Sequence, residues 1–82
     1  MVAENWAKEL GHAVSRHRKV AGLTQLALAR LAGVGKSAVF DIEKGKPTVR
    51  LETLRRVLTT LNIELLWRSP LERDGQGEPR DA

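Results

Sequence analysis

The 82-residue chain has no cysteine, no tyrosine and only three aromatic residues, Trp6, Phe40 and Trp67. Without cysteine there are no disulfides and no cysteine zinc fingers, though this says nothing about compartment. His12 and His17 are five apart and point to different sides of a helix, so they make no metal pair, and no cofactor is expected. The opening stretch MVAENWAKEL has no long apolar run, and neither a signal peptide nor a membrane span is expected. Acidic residues are scarce in most of the chain. Residues 1–68 hold twelve Lys/Arg against six Asp/Glu, a net of +6, whereas residues 69–82 hold two against four, a net of −2. A compact basic body with a weakly acidic tail suits a polyanionic partner, and ordinary solubilising charge explains it equally well.

The length allows one domain. A core this small buries roughly 60% of the surface that the unfolded chain exposes, so a second subunit would help it. Residues 69–82 (SPLERDGQGEPRDA) are rich in Pro, Gly and charge and carry one aliphatic residue, Leu71, which reads as a disordered tail after a body spanning 1–68.

Apolar periodicity divides the body into helices. The first spans about residues 5–21, with Asn5 as its cap, Trp6, Leu10, Val14 and Ala21 on one face, and Gly22 as its left-handed stop. The second begins after Thr24, whose hydroxyl can cap free N–H groups, and runs to about Ala32, with Leu26, Ala29 and Leu31 as core contacts. Gly33 allows a tight turn and Val34 plugs the elbow. The third runs from about Lys36 to Lys44 with Val39 and Ile42 inward, and Gly45 and Pro47 stop it. The fourth covers about residues 51–61 with Leu51, Leu54, Val57, Leu58 and Leu61 inward, capped by either Thr48 or Arg50. In Asn62–Trp67 (NIELLW), alternation places Ile63, Leu65 and Trp67 on one face of a strand, while Leu54, Leu58, Leu61 and Leu65 would also fit a continued helix. The strand is favoured, because β-branched and aromatic residues follow an Asn that can end a helix. A lone short strand leaves its backbone unpaired, so it implies pairing with the same segment of a second copy, an isologous homodimer.

Residues 23–45 therefore read as helix, glycine turn, helix, the arrangement that presents a polar helix start to the major groove of double-stranded DNA. Gly35 lets the backbone come close. Lys36 can donate to guanine O6/N7 or to a phosphate, and Ser37 can accept or donate. Phe40 lies one turn on, exposed so that it can touch a thymine methyl, or else in the core. Asp41 can accept from cytosine N4 or pair with a lysine. Thr24 and Gln25 stand at the first turn of the second helix, where free N–H groups hold phosphate, and Lys44 and Lys46 can clamp the backbone nearby. Arg18 and Glu43 are expected to form an ion pair tying the first helix to the third.

These residues resemble the phage-repressor-like helix-turn-helix family, the lambda repressor/XRE group, over roughly residues 10–61. The match is specific in LTQ at 23–25, in the A-x-x-A-G-V stretch ending at Val34 and in IEKGK at 42–46. The resemblance implies an all-α, lambda-repressor-like four-helix bundle, with the short terminal strand added. It makes Gln25 the phosphate-binding glutamine, places Gly35, Lys36, Ser37 and Phe40 at base-reading positions, and makes Arg18–Glu43 the interhelical salt bridge. Gly35 stands where the family usually has a Ser/Thr cap, and Phe40 and Asp41 replace commoner polar residues. Over residues 45–67, GKPTVRLETLRRVLTTLNIELLW also looks like the C-terminal half of HipB-type antitoxins, which implies a terminal strand pairing across a dimer and a HipA-type kinase toxin as partner.

The expectation is a cytoplasmic, nucleoid-associated homodimeric repressor that binds an inverted repeat and acts as an antitoxin. The alternatives are a stand-alone regulator or a protein-interaction adaptor on the same fold. An enzyme is not expected. GVGKS at 33–37 imitates the end of a phosphate-binding loop, but Arg30 stands where the first glycine should be, and the serines and histidines form no nucleophile–base constellation.

Overall fold

Each helix of the chain ends where one residue turns left-handed. The computed structural model describes residues 5–71 and contains α1 (Trp6–Val20), α2 (Gln25–Ala32), α3 (Lys36–Lys44) and α4 (Leu51–Thr60). The turning residues are Gly22, Gly33, Gly45 and, after α4, Asn62 with φ of 60°. The same two backbone bonds close every end. After α2, Gly33 N–H donates to the Arg30 carbonyl at 3.3 Å and Val34 N–H to the Ala29 carbonyl at 2.9 Å. After α4, Asn62 N–H donates to the Thr59 carbonyl at 3.0 Å and Ile63 N–H to the Leu58 carbonyl at 2.9 Å. This pairing satisfies carbonyls that a helix end leaves free, and it turns the next residue back toward the helix. Leu23, Val34 and Ile63, each next in line, pack against the core.

The helix starts are less uniform. The Thr24 hydroxyl accepts from Ala27 N–H at 3.0 Å. Asn5 makes no such bond: its backbone, at φ −102° and ψ −3°, has already left the extended geometry a capping side chain requires. Arg50, not Thr48, stands at the start of α4, and no side chain caps it.

Val14, Leu28, Ala29, Ala32, Val39, Ile42, Leu54, Val57 and Leu58 form the core. The middle helix of the sandwich is α3, which packs on α1, α2 and α4. Gly11 makes the α1–α3 contact possible, because a Cβ there would collide with the Ile42 carbonyl and come within 2.9 Å of the Glu43 carbonyl. Two sequence-based core assignments in α2 are corrected. Leu26 and Leu31 are exposed, and the buried leucine is Leu28. Leu28, Ala29 and Ala32 share one stripe of the helix, and Leu26 and Leu31 lie roughly 100° to either side of it. Leu51 is exposed as well, and so are Trp6 and Ala21 at the ends of the α1 stripe.

The terminal strand expected over residues 62–67 is not supported, since the single chain forms no strand there. Ile63 turns in against the core, while Leu65, Leu66 and Trp67 are all exposed, so the alternation does not sort them onto two faces. A strand needs a neighbouring ladder, and the helices offer no edge to pair with. The tail expected over 69–82 lies outside the described residues from 72 onward.

Candidate nucleic-acid interface

The turn between α2 and α3 sets the site. Gly33, at φ 73°, reverses the chain within a few residues, and Val34 anchors the elbow. Gly35 then starts α3 from an extended conformation without a side-chain cap, so the first-turn amides of α3 point outward beside the backbone of a residue with no Cβ. Val39 and Ile42 face the core, which leaves Lys36, Ser37, Phe40 and Lys44 exposed on the opposite side. Phe40 is 47% exposed, and the Lys44 ammonium lies over its ring, 5.2 Å from the centroid. Asp41 is half-buried and pairs with Lys46 at 3.6 Å, the lysine alternative for that carboxylate.

A single carboxylate fixes the pitch of this surface. Glu43 accepts from Arg18 Nε at 2.6 Å, from Arg18 Nη2 at 3.0 Å and from Gln25 Nε2 at 3.1 Å, and Arg18 Nη1 donates to the Leu23 carbonyl at 2.8 Å. The Arg18 and Glu43 side chains are 12% and 9% exposed. Burial by itself would push the Glu43 carboxyl up. The hydrogen bonds from Arg18 and Gln25, with the charges of Arg18 and Lys19, outweigh it and hold the group below the usual carboxylate range. Arg18 is raised in turn, chiefly by its hydrogen bond to Glu43 and despite burial. Three elements thus meet at one ion pair: α1 through Arg18, the first turn of α2 through Gln25, and α3 through Glu43. In the unbound protein one N–H of the Gln25 amide is committed inward, so a phosphate at this turn would meet backbone N–H groups and the remaining amide hydrogen.

Two arginines that sequence reasoning passed over flank the other side of the α3 start. An open cleft of about 350 Å³ lies between Gly33, Gly35 and Ala38 on one side and, on the other, Arg50 at the start of α4 with Glu52, Thr53 and Arg56 of that helix. Their signal is the arginine density of VRLETLRR. Arg55 and Arg56 both bind Glu52, at 2.7 and 3.0 Å, and their hydrogen bonds lower its carboxyl to about 2. Away from this face, Leu51, Leu54, Leu58, Ile63, Leu65 and Leu66 line an open groove of about 980 Å³, with Arg55 and Glu64 at its rim. Among the described residues no group of His, Cys, Asp or Glu is placed to hold a metal ion, and no helix is long and apolar enough to cross a membrane.

The family profile described as helix-turn-helix matches residues 7–68. The chain belongs to the helix-turn-helix family. This helix-turn-helix protein is 38% identical over 65 residues to an uncharacterised HTH-type transcriptional regulator of Sinorhizobium fredii, across 79% of this chain and 86% of the relative. Its fold is similar to that of the restriction-modification controller protein C.AhdI from Aeromonas hydrophila, with a TM-score of 0.63, 33% identity, and coverage of 71% of this chain and 88% of that one. The described residues are all-helical, and the protein is accordingly a DNA-binding transcription regulator of the XRE type and not an enzyme.

Proposed function

We propose that this regulator is a sequence-specific repressor that binds an inverted-repeat operator as a homodimer, with the start of α3 in the major groove of each half-site. The observation that carries the reading is the exposed α3 face of Lys36, Ser37, Phe40 and Lys44, held at a fixed pitch by the Arg18–Glu43–Gln25 junction. Lys36 and Ser37, over the bare backbone of Gly35, face base edges, and Asp41 tunes the choice through its pairing with Lys46. A helix in the major groove runs between two phosphate rails. Thr24, Gln25 and the first turn of α2 meet one rail, and Arg50 and Arg56 meet the other, with Lys44 and Lys46 closing on the backbone near the end of α3.

The second copy covers the apolar groove between α4 and residues 63–66. Leu51, Leu65 and Leu66 leave an apolar surface there that a monomer in water would not keep open. The rim carries both signs, Arg55 and Glu64, which a twofold axis can set against each other. A HipA-type kinase is left out of the proposal, because the single chain shows no terminal strand and the similar proteins are a transcriptional regulator and a controller protein. The likeness to a restriction-modification controller protein supports a regulatory role for this DNA binding.

The test is selection of bound duplexes from a random library, together with sedimentation of the free protein. The expected duplexes carry two half-sites about one helical turn, ~34 Å, apart. The free protein should sediment as a dimer, and L66E, which alters a side chain 62% exposed, should be a folded monomer with weakened operator binding. A monomeric wild type, or selected sites without symmetry, would exclude the paired arrangement.

A further inference from the structure

The outward face of α3 contains no asparagine and no glutamine. Its polar readers are Lys36 and Ser37, and Phe40 is the large apolar side chain it exposes. On the proposed orientation, which this inference rests on, that ring enters the groove one helical turn beyond Lys36 and Ser37.

A phenyl ring in the major groove has few partners. Base edges there present nitrogen and oxygen acceptors and amino donors, and the apolar group among them is the methyl on C5 of thymine. The same methyl at the same ring position occurs on 5-methylcytosine. A ring set against polar edges displaces their water and offers no hydrogen bond in return, which is unfavourable. A ring set against a methyl removes apolar surface from water on both sides. Lys44 sharpens the choice. Its ammonium sits over the Phe40 ring at 5.2 Å, so the two side chains form one unit with a cation on one side of the ring, next to the strand's phosphates. Asp41, the remaining outward-leaning group of that turn, is engaged with Lys46 and does not compete for the methyl.

We infer that Phe40 reads a pyrimidine C5-methyl group, so that the regulator distinguishes methylated from unmethylated pyrimidine at one position of each half-site. Phe40 is 47% exposed and lies outside the core cluster, so F40A leaves the core residues in place.

The experiment starts from a duplex that the wild-type protein selects from a random library. Each thymine is replaced in turn by deoxyuridine, which removes the methyl and keeps the pairing. Wild type should lose about fourfold in affinity at one position per half-site, the worth of one buried methyl group, and nothing elsewhere. F40A, checked for folding by its helical circular dichroism, should show no loss at that position. A second arm places C·G or 5-methyl-C·G at the same position. A wild-type preference of similar size for the methylated form, absent in F40A, makes methylcytosine an equivalent ligand. A thymine effect without a methylcytosine effect supports the inference with thymine as the source. A flat deoxyuridine scan, or a scan in which F40A loses as much as wild type, overturns it. Failure to select any duplex would instead sink the DNA-recognition reading beneath it.

Discussion

Glu43 shows how much one side chain can hold. Its carboxylate is the meeting point of α1, α2 and α3, and it is almost shielded from water. Removing one partner of such a pair leaves the other buried and uncompensated, so E43Q should cost about 3 kcal/mol in chemical denaturation at neutral pH. The pH dependence follows from the direction of its shift. The folded pKa lies below the unfolded one, so its contribution is complete above the ordinary carboxylate range and is lost as pH falls through the lower folded value. Wild-type stability should therefore decline on acidification below about pH 4.5, and the decline should be shallower in E43Q. Part of the slope should survive, because Glu52, near 2 in the folded protein, titrates in the same direction. An E43Q curve parallel to wild type would remove Glu43 from this role. The Arg18–Glu43 pair was legible in the sequence through the family resemblance. The bond from Gln25 was not, because helix start and carboxylate are 18 positions apart and only packing joins them. Leu28 escaped for a local reason: in QLALARLA three leucines compete, and the short buried stripe favours the one flanked by small alanines.

The elements are defined by their ends more firmly than by their faces. Three stops are glycines, which enter the left-handed region without steric cost, and these ends were readable directly from GLT, AGV and KGK. The fourth is Asn62, a residue with a Cβ at φ 60°. N62A should destabilise the protein by about 1 kcal/mol, and N62G should equal or exceed wild type, both read from thermal unfolding. Equal melting temperatures for N62A and wild type would show that the turn after α4 is not held by that conformation. The same turn explains why no strand forms within the chain. NIELLW has the composition of a strand, but Ile63 is consumed by the closing bond to Leu58 and by the core, and the rest has no ladder to join. Composition describes what a segment tolerates, whereas pairing depends on what lies beside it.

At the scale of the whole molecule, the helices hold the uncapped start of α3 clear of the core, with backbone amides on one flank and two arginines on the other. The first flank was visible in LTQ at 23–25. The second was not, since Arg50 and Arg56 reach the α3 start only after α4 folds back on α2. Whether that helix start enters the groove is tested most directly by footprinting guanine N7, an atom that faces the major groove alone. On its selected duplex the wild-type protein should protect at least one guanine N7 in each half-site, and K36A should lose that protection and about 1–3 kcal/mol of specific binding. Unprotected guanines under full occupancy, or K36A binding and protecting as wild type does, would contradict the placement of α3 in the groove.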